Sequence, residues 1–95
     1  MVSKHLQEAV QNLSNTLTEQ LTIINAELDR AKKYQLVSEM LCLMNNNFNI
    51  LARPGLKNFR ETIKNKYLFW KEQGSDYETR LCEEYRDFFE RILAI

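Results

Sequence analysis

The chain has 95 residues, with thirteen basic and thirteen acidic side chains, so its formal net charge is zero. This length indicates a single small domain, and zero net charge gives no support to a general electrostatic attraction to nucleic acid or to an anionic membrane. Two glycines and one proline are too few for a many-stranded β fold, and two cysteines are too few for the disulfide framework of a secreted protein.

The apolar residues do not form a membrane-spanning run. The longest apolar stretch, around residues 36–44, is short and contains Ser38 and Glu39, whereas a spanning helix needs about 20 consecutive apolar residues. Residues 1–8 are polar and mixed in charge, unlike a secretory leader. We interpret Cys42 and Cys82 as buried thiols in a reducing compartment. These features predict a cytoplasmic protein without a membrane segment.

The first half of the chain predicts one very long amphipathic helix. Residues 1–53 contain no glycine and no proline, and their apolar residues recur at steps of three and four, which is the period of a helix face. We expect this helix over about residues 3–47, with Ser3 as its N-cap and a possible kink over the polar stretch 12–18. The stripe consists of Leu6, Val10, Leu13, Leu17, Leu21, Ile24, Leu28, Ala31, Tyr34, Val37, Leu41, Met44 and Phe48.

Two shorter helices are predicted after the first clear boundary, Arg53-Pro54-Gly55. The second helix covers about residues 56–73 and ends at Gly74, which is a favoured residue at helix C-termini. Ser75, with Glu78 three residues later, has the capping-box spacing at the start of a third helix over about residues 76–94. The short joint predicts that the two helices form an antiparallel hairpin.

The length of the first helix predicts a partner. At 1.5 Å per residue it would span ~63 Å, against ~25–30 Å for each hairpin helix, so the hairpin can cover about half of it. The most direct solution is an isologous homodimer, in which the long helices complete a helical bundle. Its alternative is a monomeric four-helix bundle with a break near residues 14–16. The residues assigned to the dimer interface are Leu13, Leu17, Leu21, Ile24 and Leu28.

The second helix carries a basic, aromatic-rich run over residues 57–71. Four cations at helical spacing could contact nucleic acid phosphates, although a solvated face, or one paired with the acidic last helix, is the simpler interpretation. Leu68 and Phe69 lie off the apolar stripe, so their exposure would give the helix a second apolar face for a partner. The residues assigned to a partner or nucleic-acid surface are Lys57, Arg60, Lys64, Lys71, Phe69 and Trp70.

The sequence contains no pattern that indicates catalysis. His5 is the single histidine, no metal-ligand spacing occurs, and no glycine-rich phosphate loop is present. We therefore predict no cofactor and no metal.

One enzyme family shares part of this layout. A long first helix followed by two shorter ones in an intertwined dimer resembles the all-helical chorismate mutases, and Arg53-Pro54 followed by Arg60-Glu61 is similar to the start of that family's second helix. The family's site also needs cations from the long helix, and residues 35–49 contain none. The resemblance therefore covers topology and four residues, and the activity is not carried over.

The combined prediction is a non-enzymatic helical protein-protein interaction module, of the adaptor, inhibitor, immunity, antitoxin or chaperone type. It would act as a homodimer or as a subunit of a helical complex, binding itself and another protein. The alternative is a small nucleic-acid-binding regulator that uses the basic helix 57–71.

Overall fold

A computed structural model describes residues 4–95, and within that range the chain is all-helical with no strand. The predicted all-α class is confirmed. Ser3, the predicted N-cap of the first helix, lies outside the described residues. The elements are α1 (Lys4–Ala26), α2 (Arg30–Asn46), α3 (Phe48–Leu51), a 3-10 turn (Pro54–Leu56), α4 (Lys57–Gln73), α5 (Asp76–Glu84) and α6 (Arg86–Leu93).

The predicted long helix is divided at residues 27–29, so the expectation of a continuous helix to residue 47 is wrong. Asp29 has extended backbone angles, and its carboxylate oxygen accepts a hydrogen bond from the backbone N–H of Lys32 at 3.0 Å. The Glu27 carboxylate in turn accepts from the backbone N–H of Asp29 at 3.0 Å. Aspartate is among the strongest N-capping residues, and here it ends one helix and starts the next. The division also departs from the long first helix on which the resemblance to chorismate mutases was based.

The helix does not break over residues 12–18, because α1 runs through this stretch. The hydroxyls of Thr16 and Thr18 donate to the carbonyl oxygens of Asn12 and Ser14, four residues earlier, at 3.0 and 2.8 Å. Both hydroxyls thus find acceptors on the helix backbone, in the i−4 pattern that slightly weakens a helix without ending it.

The end of α4 is close to its predicted position. A Cβ atom at Gly74 would lie 2.5 Å from the carbonyl oxygen of Trp70, so the turn requires glycine here. Ser75 is the N-cap residue of α5, as predicted, but its hydroxyl donates to the Glu78 carboxylate at 3.0 Å instead of accepting from the backbone.

The predicted helix over residues 76–94 is interrupted at Tyr85, which separates α5 from α6. The Tyr85 hydroxyl donates to the carbonyl oxygen of Ser38 at 3.0 Å and lies 2.9 Å from the Ser38 hydroxyl. This contact ties the interruption to α2. A tertiary hydrogen bond of this kind has no signature in a helix-period pattern.

One apolar core joins the helices. The ring of Tyr67 on α4 stacks on Phe89 of α6 at a centroid distance of 4.3 Å, and Phe48 of α3 meets Phe88 edge-on at 6.2 Å. The molecule measures 45 × 28 × 18 Å, shorter than the ~63 Å that the predicted helix alone would span. The buried apolar residues are Leu13, Leu17, Ile24, Val37, Met40, Leu41, Met44, Leu51, Leu56, Ile63, Tyr67, Leu81, Cys82, Phe88, Phe89 and Ile92.

The two cysteines differ in environment. Cys82 is buried, whereas Cys42 is exposed, which corrects the interpretation of both as buried thiols. Cys42 lies on the outer side of α2, and its sulfur accepts a long contact of 3.6 Å from the side-chain amide of Asn46.

We predict that Asp29→Ala lowers the free energy of unfolding by about 1 kcal/mol, because the backbone N–H of Lys32 loses its partner. Asp29→Asn keeps a side-chain oxygen at the cap and should restore most of the loss. Urea denaturation followed by far-UV circular dichroism measures both. Glu19→Ala, at an exposed position of α1, is the matched control and should change stability by less than ~0.5 kcal/mol. Equal effects of Asp29→Ala and Glu19→Ala would contradict the capping role.

Candidate functional site

Arg60, which the sequence assigned to an external surface, lies inside the fold. It is 7% exposed, and its Nη1 donates to the carbonyl oxygens of Leu51 and Arg53, at 2.7 Å each. Those carbonyls lie at the end of α3 and just beyond it, where helix carbonyls lack intrahelical partners. Arg60 therefore fixes the connection between α3 and α4, and its assignment to a partner or nucleic-acid surface is wrong.

The three lysines assigned to the same surface are only partly available. Lys57 is exposed. The Lys64 ammonium lies 3.6 Å from the Glu61 carboxylate and 3.5 Å from the carbonyl oxygen of Ile95. The Lys71 ammonium lies 5.2 Å from the ring centroid of Tyr67, within cation–π range. Two of the three thus have contacts inside the chain, which leaves a discontinuous basic face.

The outer face of α4 is apolar at one place. Leu68 is 51% exposed and Phe69 is 56% exposed, whereas Ile63 and Tyr67 supply the buried face of the same helix. We call Leu68 and Phe69 the α4 outer pair. Trp70, assigned to the same surface, is half-buried and packs against the core. The positions of Leu68 and Phe69 off the apolar stripe were the sequence signal for this second apolar face of α4.

The residues assigned to the dimer interface are separated by the fold. Leu13, Leu17 and Ile24 are buried within the chain's own core, and Leu21 packs against that core at its edge. Leu28, in contrast, is 94% exposed in the turn between α1 and α2. The homodimer was inferred from an apolar stripe that one chain was not expected to cover. In the structure the same chain covers it, because α2 contacts α1 after the break at Asp29.

A cavity of about 400 Å³ lies where the α1–α2 turn meets the joint between α4 and α5. Its walls come from four helices, so no local sequence pattern indicates it. The lining includes buried apolar residues, which we call the cavity floor, and charged residues, which we call the cavity mouth. The floor is Ile24, Val37, Met40 and Leu81; the mouth is Glu27, Arg30, Lys33, Lys66 and Glu78; Leu21, Asn25, Leu28, Tyr34, Trp70, Ser75 and Tyr77 complete the lining.

Two groups have shifted pKa values: Tyr34, which lines the cavity, and Cys82, which lies outside its lining. The Tyr34 hydroxyl donates to the Glu84 carboxylate at 2.8 Å, and this bond, with burial as a second cause, raises the pKa of Tyr34 above its ordinary value. Burial raises the pKa of the Cys82 thiol. Because the thiolate is the nucleophilic form, Cys82 is held in its unreactive state at neutral pH.

Residues 4–95 include no cluster of three or more histidine, cysteine or acidic side chains positioned to hold a metal ion. Over the same described range, every helix is too short or too polar to cross a lipid bilayer.

Comparison of the chain with protein-family models, with characterised proteins and with solved structures gives no match.

We predict that Arg60→Ala lowers the free energy of unfolding by about 2–4 kcal/mol, because the buried carbonyl oxygen of Leu51 and the partly buried one of Arg53 lose a charged donor. Lys57→Ala, an exposed cation on the same helix, is the control and should cost less than ~0.5 kcal/mol. Chemical denaturation of both variants provides the measurement. An Arg60→Ala protein of native stability would show that Arg60 is free to act at a surface.

Proposed function

We propose that this protein is a non-enzymatic helical interaction module that binds another protein, or a second copy of itself, through the α4 outer pair. The observation that carries the proposal is the exposure of Leu68 and Phe69, 51% and 56%, on a helix whose opposite face is already used by the core. The adaptor, inhibitor, immunity, antitoxin and chaperone types all fall within this proposal.

The energetics of the outer pair support this role. Full burial of one large apolar side chain is worth roughly 1.5–3 kcal/mol relative to leaving it exposed. Phe69 is an aromatic side chain, and aromatic residues are enriched at protein interfaces. Since the buried face of α4 faces the core, a rearrangement that covered the outer pair within the chain would expose Ile63 and Tyr67. A partner covers the pair without that loss.

The homodimer stays a proposal, with a changed set of contacts. The burial of Leu13, Leu17 and Ile24 removes them from any interface between folded copies. Of the five residues assigned to the interface, Leu28 stays exposed, and the α4 outer pair is a second exposed apolar surface; Ile23, Tyr77, Leu93 and Ile95 are further exposed apolar residues. The predicted antiparallel pairing of the last helices is compatible with such an assembly, because α4 contacts both α5 and α6 and presents its outer face away from them.

The nucleic-acid alternative has less support from the structure than it had from the sequence. It retains Lys57, Lys64 and Lys71 and loses Arg60, which is buried. A cytoplasmic location also stays a prediction.

The experiment compares the protein with a Leu68→Ser/Phe69→Ser variant, by light scattering after gel filtration and by affinity capture from the source cell with nuclease present. We expect the parent to form a complex, and the variant to bind at least about ten-fold more weakly, because two apolar contacts are lost. Helix content should be unchanged, because both side chains are half-exposed.

Ile23→Ser is the matched control, since Ile23 is 54% exposed on α1, and it should retain the complex. The proposal would be overturned if the parent stays monomeric and captures no protein whose binding is weakened in the Leu68→Ser/Phe69→Ser variant. Capture that is abolished by nuclease would favour the regulator instead.

A further inference from the structure

The cavity beside the α1–α2 turn combines an apolar interior with a charged opening. Its floor residues Ile24, Val37, Met40 and Leu81 are each at most about one-twentieth exposed, so the cavity reaches the core. Its volume of about 400 Å³ falls within the range of about 300–1,000 Å³ that is typical of small-molecule sites. Such sites usually have apolar walls with a few polar groups that orient the ligand.

The five charged residues at the mouth are not equivalent. The two acidic residues have local hydrogen bonds: Glu27 accepts from the backbone N–H of Asp29, and Glu78 accepts from the Ser75 hydroxyl, at 3.0 Å each. The three cations are not in ion pairs, because the salt bridge of residues 4–95 is the one between Lys64 and Glu61. The mouth thus carries three cations and two carboxylates, a net charge of +1, and none of these cations has a carboxylate within salt-bridge distance among residues 4–95.

The three cations also approach the opening from two directions. Arg30 and Lys33 lie on the first turn of α2, whereas Lys66 lies on α4, and all three line the cavity. Convergent cations can hold an anionic head group by charge-assisted hydrogen bonds. The floor residues are buried and Trp70 is half-buried, so an apolar chain lying against them is removed from water.

We propose that this cavity binds a single-chain anionic amphiphile, with the alkyl chain against the floor and Trp70 and the anionic head group at Arg30, Lys33 and Lys66. A partly open cavity of about 400 Å³ has room for one flexible chain, whereas an amphipathic helix needs an extended groove with several anchor positions. The site uses none of the residues in the α4 outer pair, so it stands independently of the proposed protein interaction.

Trp70 provides a direct probe, because it is the only tryptophan in the sequence. Decanoate, titrated below its micelle-forming concentration, should change the emission of Trp70 and bind with one-to-one stoichiometry in calorimetry. Nonyltrimethylammonium has the same alkyl chain of about nine carbons with the opposite charge and should bind about ten-fold more weakly. Unchanged Trp70 emission with decanoate, or equal affinity for the two ligands, would overturn the proposal.

Two neighbouring lysines test the head-group position. Lys33 lines the cavity, whereas Lys32 is exposed on the same helix turn and does not. Lys33→Glu should weaken decanoate binding about ten-fold, and Lys32→Glu should change it by less than about two-fold. Equal effects of the two charge reversals would show that only the general field of the protein attracts the anion.

Filling the cavity tests the chain position without changing charge. Leu21 lines the cavity and is half-buried, whereas Ile23 is exposed on the same helix and outside the lining. With native helix content confirmed by circular dichroism, Leu21→Phe should reduce decanoate affinity several-fold, and Ile23→Phe should not. The Leu68→Ser/Phe69→Ser variant should bind decanoate like the parent. Binding of anionic phospholipid vesicles or of an acidic amphipathic peptide in the absence of decanoate binding would contradict the proposal.

Discussion

The turn at residues 27–29, where the Asp29 carboxylate accepts from the backbone N–H of Lys32 at 3.0 Å, is the feature on which the rest of the fold depends. It caps α2 at a place where the apolar stripe would otherwise continue along one straight helix. With the break in place, α2 contacts α1, and the stripes of both helices enter one core. Apolar surface that a straight helix would offer to another molecule is thereby buried within the chain. The same turn exposes Leu28 and forms one side of the cavity.

Two polar side chains connect the remaining helices to this frame. Arg60 joins α4 to the carbonyl oxygens of Leu51 and Arg53, and Tyr85 joins the interruption between α5 and α6 to Ser38 on α2. Buried donors of this kind are costly to leave without acceptors, so they favour one arrangement of helices over others that the apolar pattern alone allows. The surface features follow from this arrangement: the α4 outer pair faces away from the core, and the cavity mouth has three unpaired cations.

The sequence predicts the elements better than their contacts. The all-α class, the boundary at Arg53-Pro54-Gly55 and the turn at Gly74 follow from local chemistry, since proline, glycine and helical periodicity act over a few residues. The break at Asp29 was not predicted because one aspartate without glycine or proline is a weak signal beside a stripe that stays in register. A straight dimer and a folded monomer bury the same stripe, so its pattern does not distinguish them.

The candidate sites also include features that the sequence predicts and features that it does not. The spacing of Leu68 and Phe69 off the stripe was enough to identify a possible second face of α4. Arg60 looks like its neighbouring lysines in the sequence, and its role becomes visible only when the carbonyls at the end of α3 are placed beside it. The cavity combines residues from four helices, so its floor and its cations share no sequence motif. Side chains that act through one element are predictable, and those that act between elements are not.

The most direct test of this account is the distance between spin labels at Gln11 and Asn46, two exposed positions in α1 and α2. The labels would be introduced in a Cys42→Ser/Cys82→Ala background and diluted with unlabelled protein, so that pulsed electron resonance reports the distance within one chain. If α2 folds back on α1, the two positions lie at similar heights on neighbouring helices, and we expect about 15–25 Å. A continuous helix would separate them by ~52 Å, and a measured distance near that value would contradict the fold, the cavity and the covered core together.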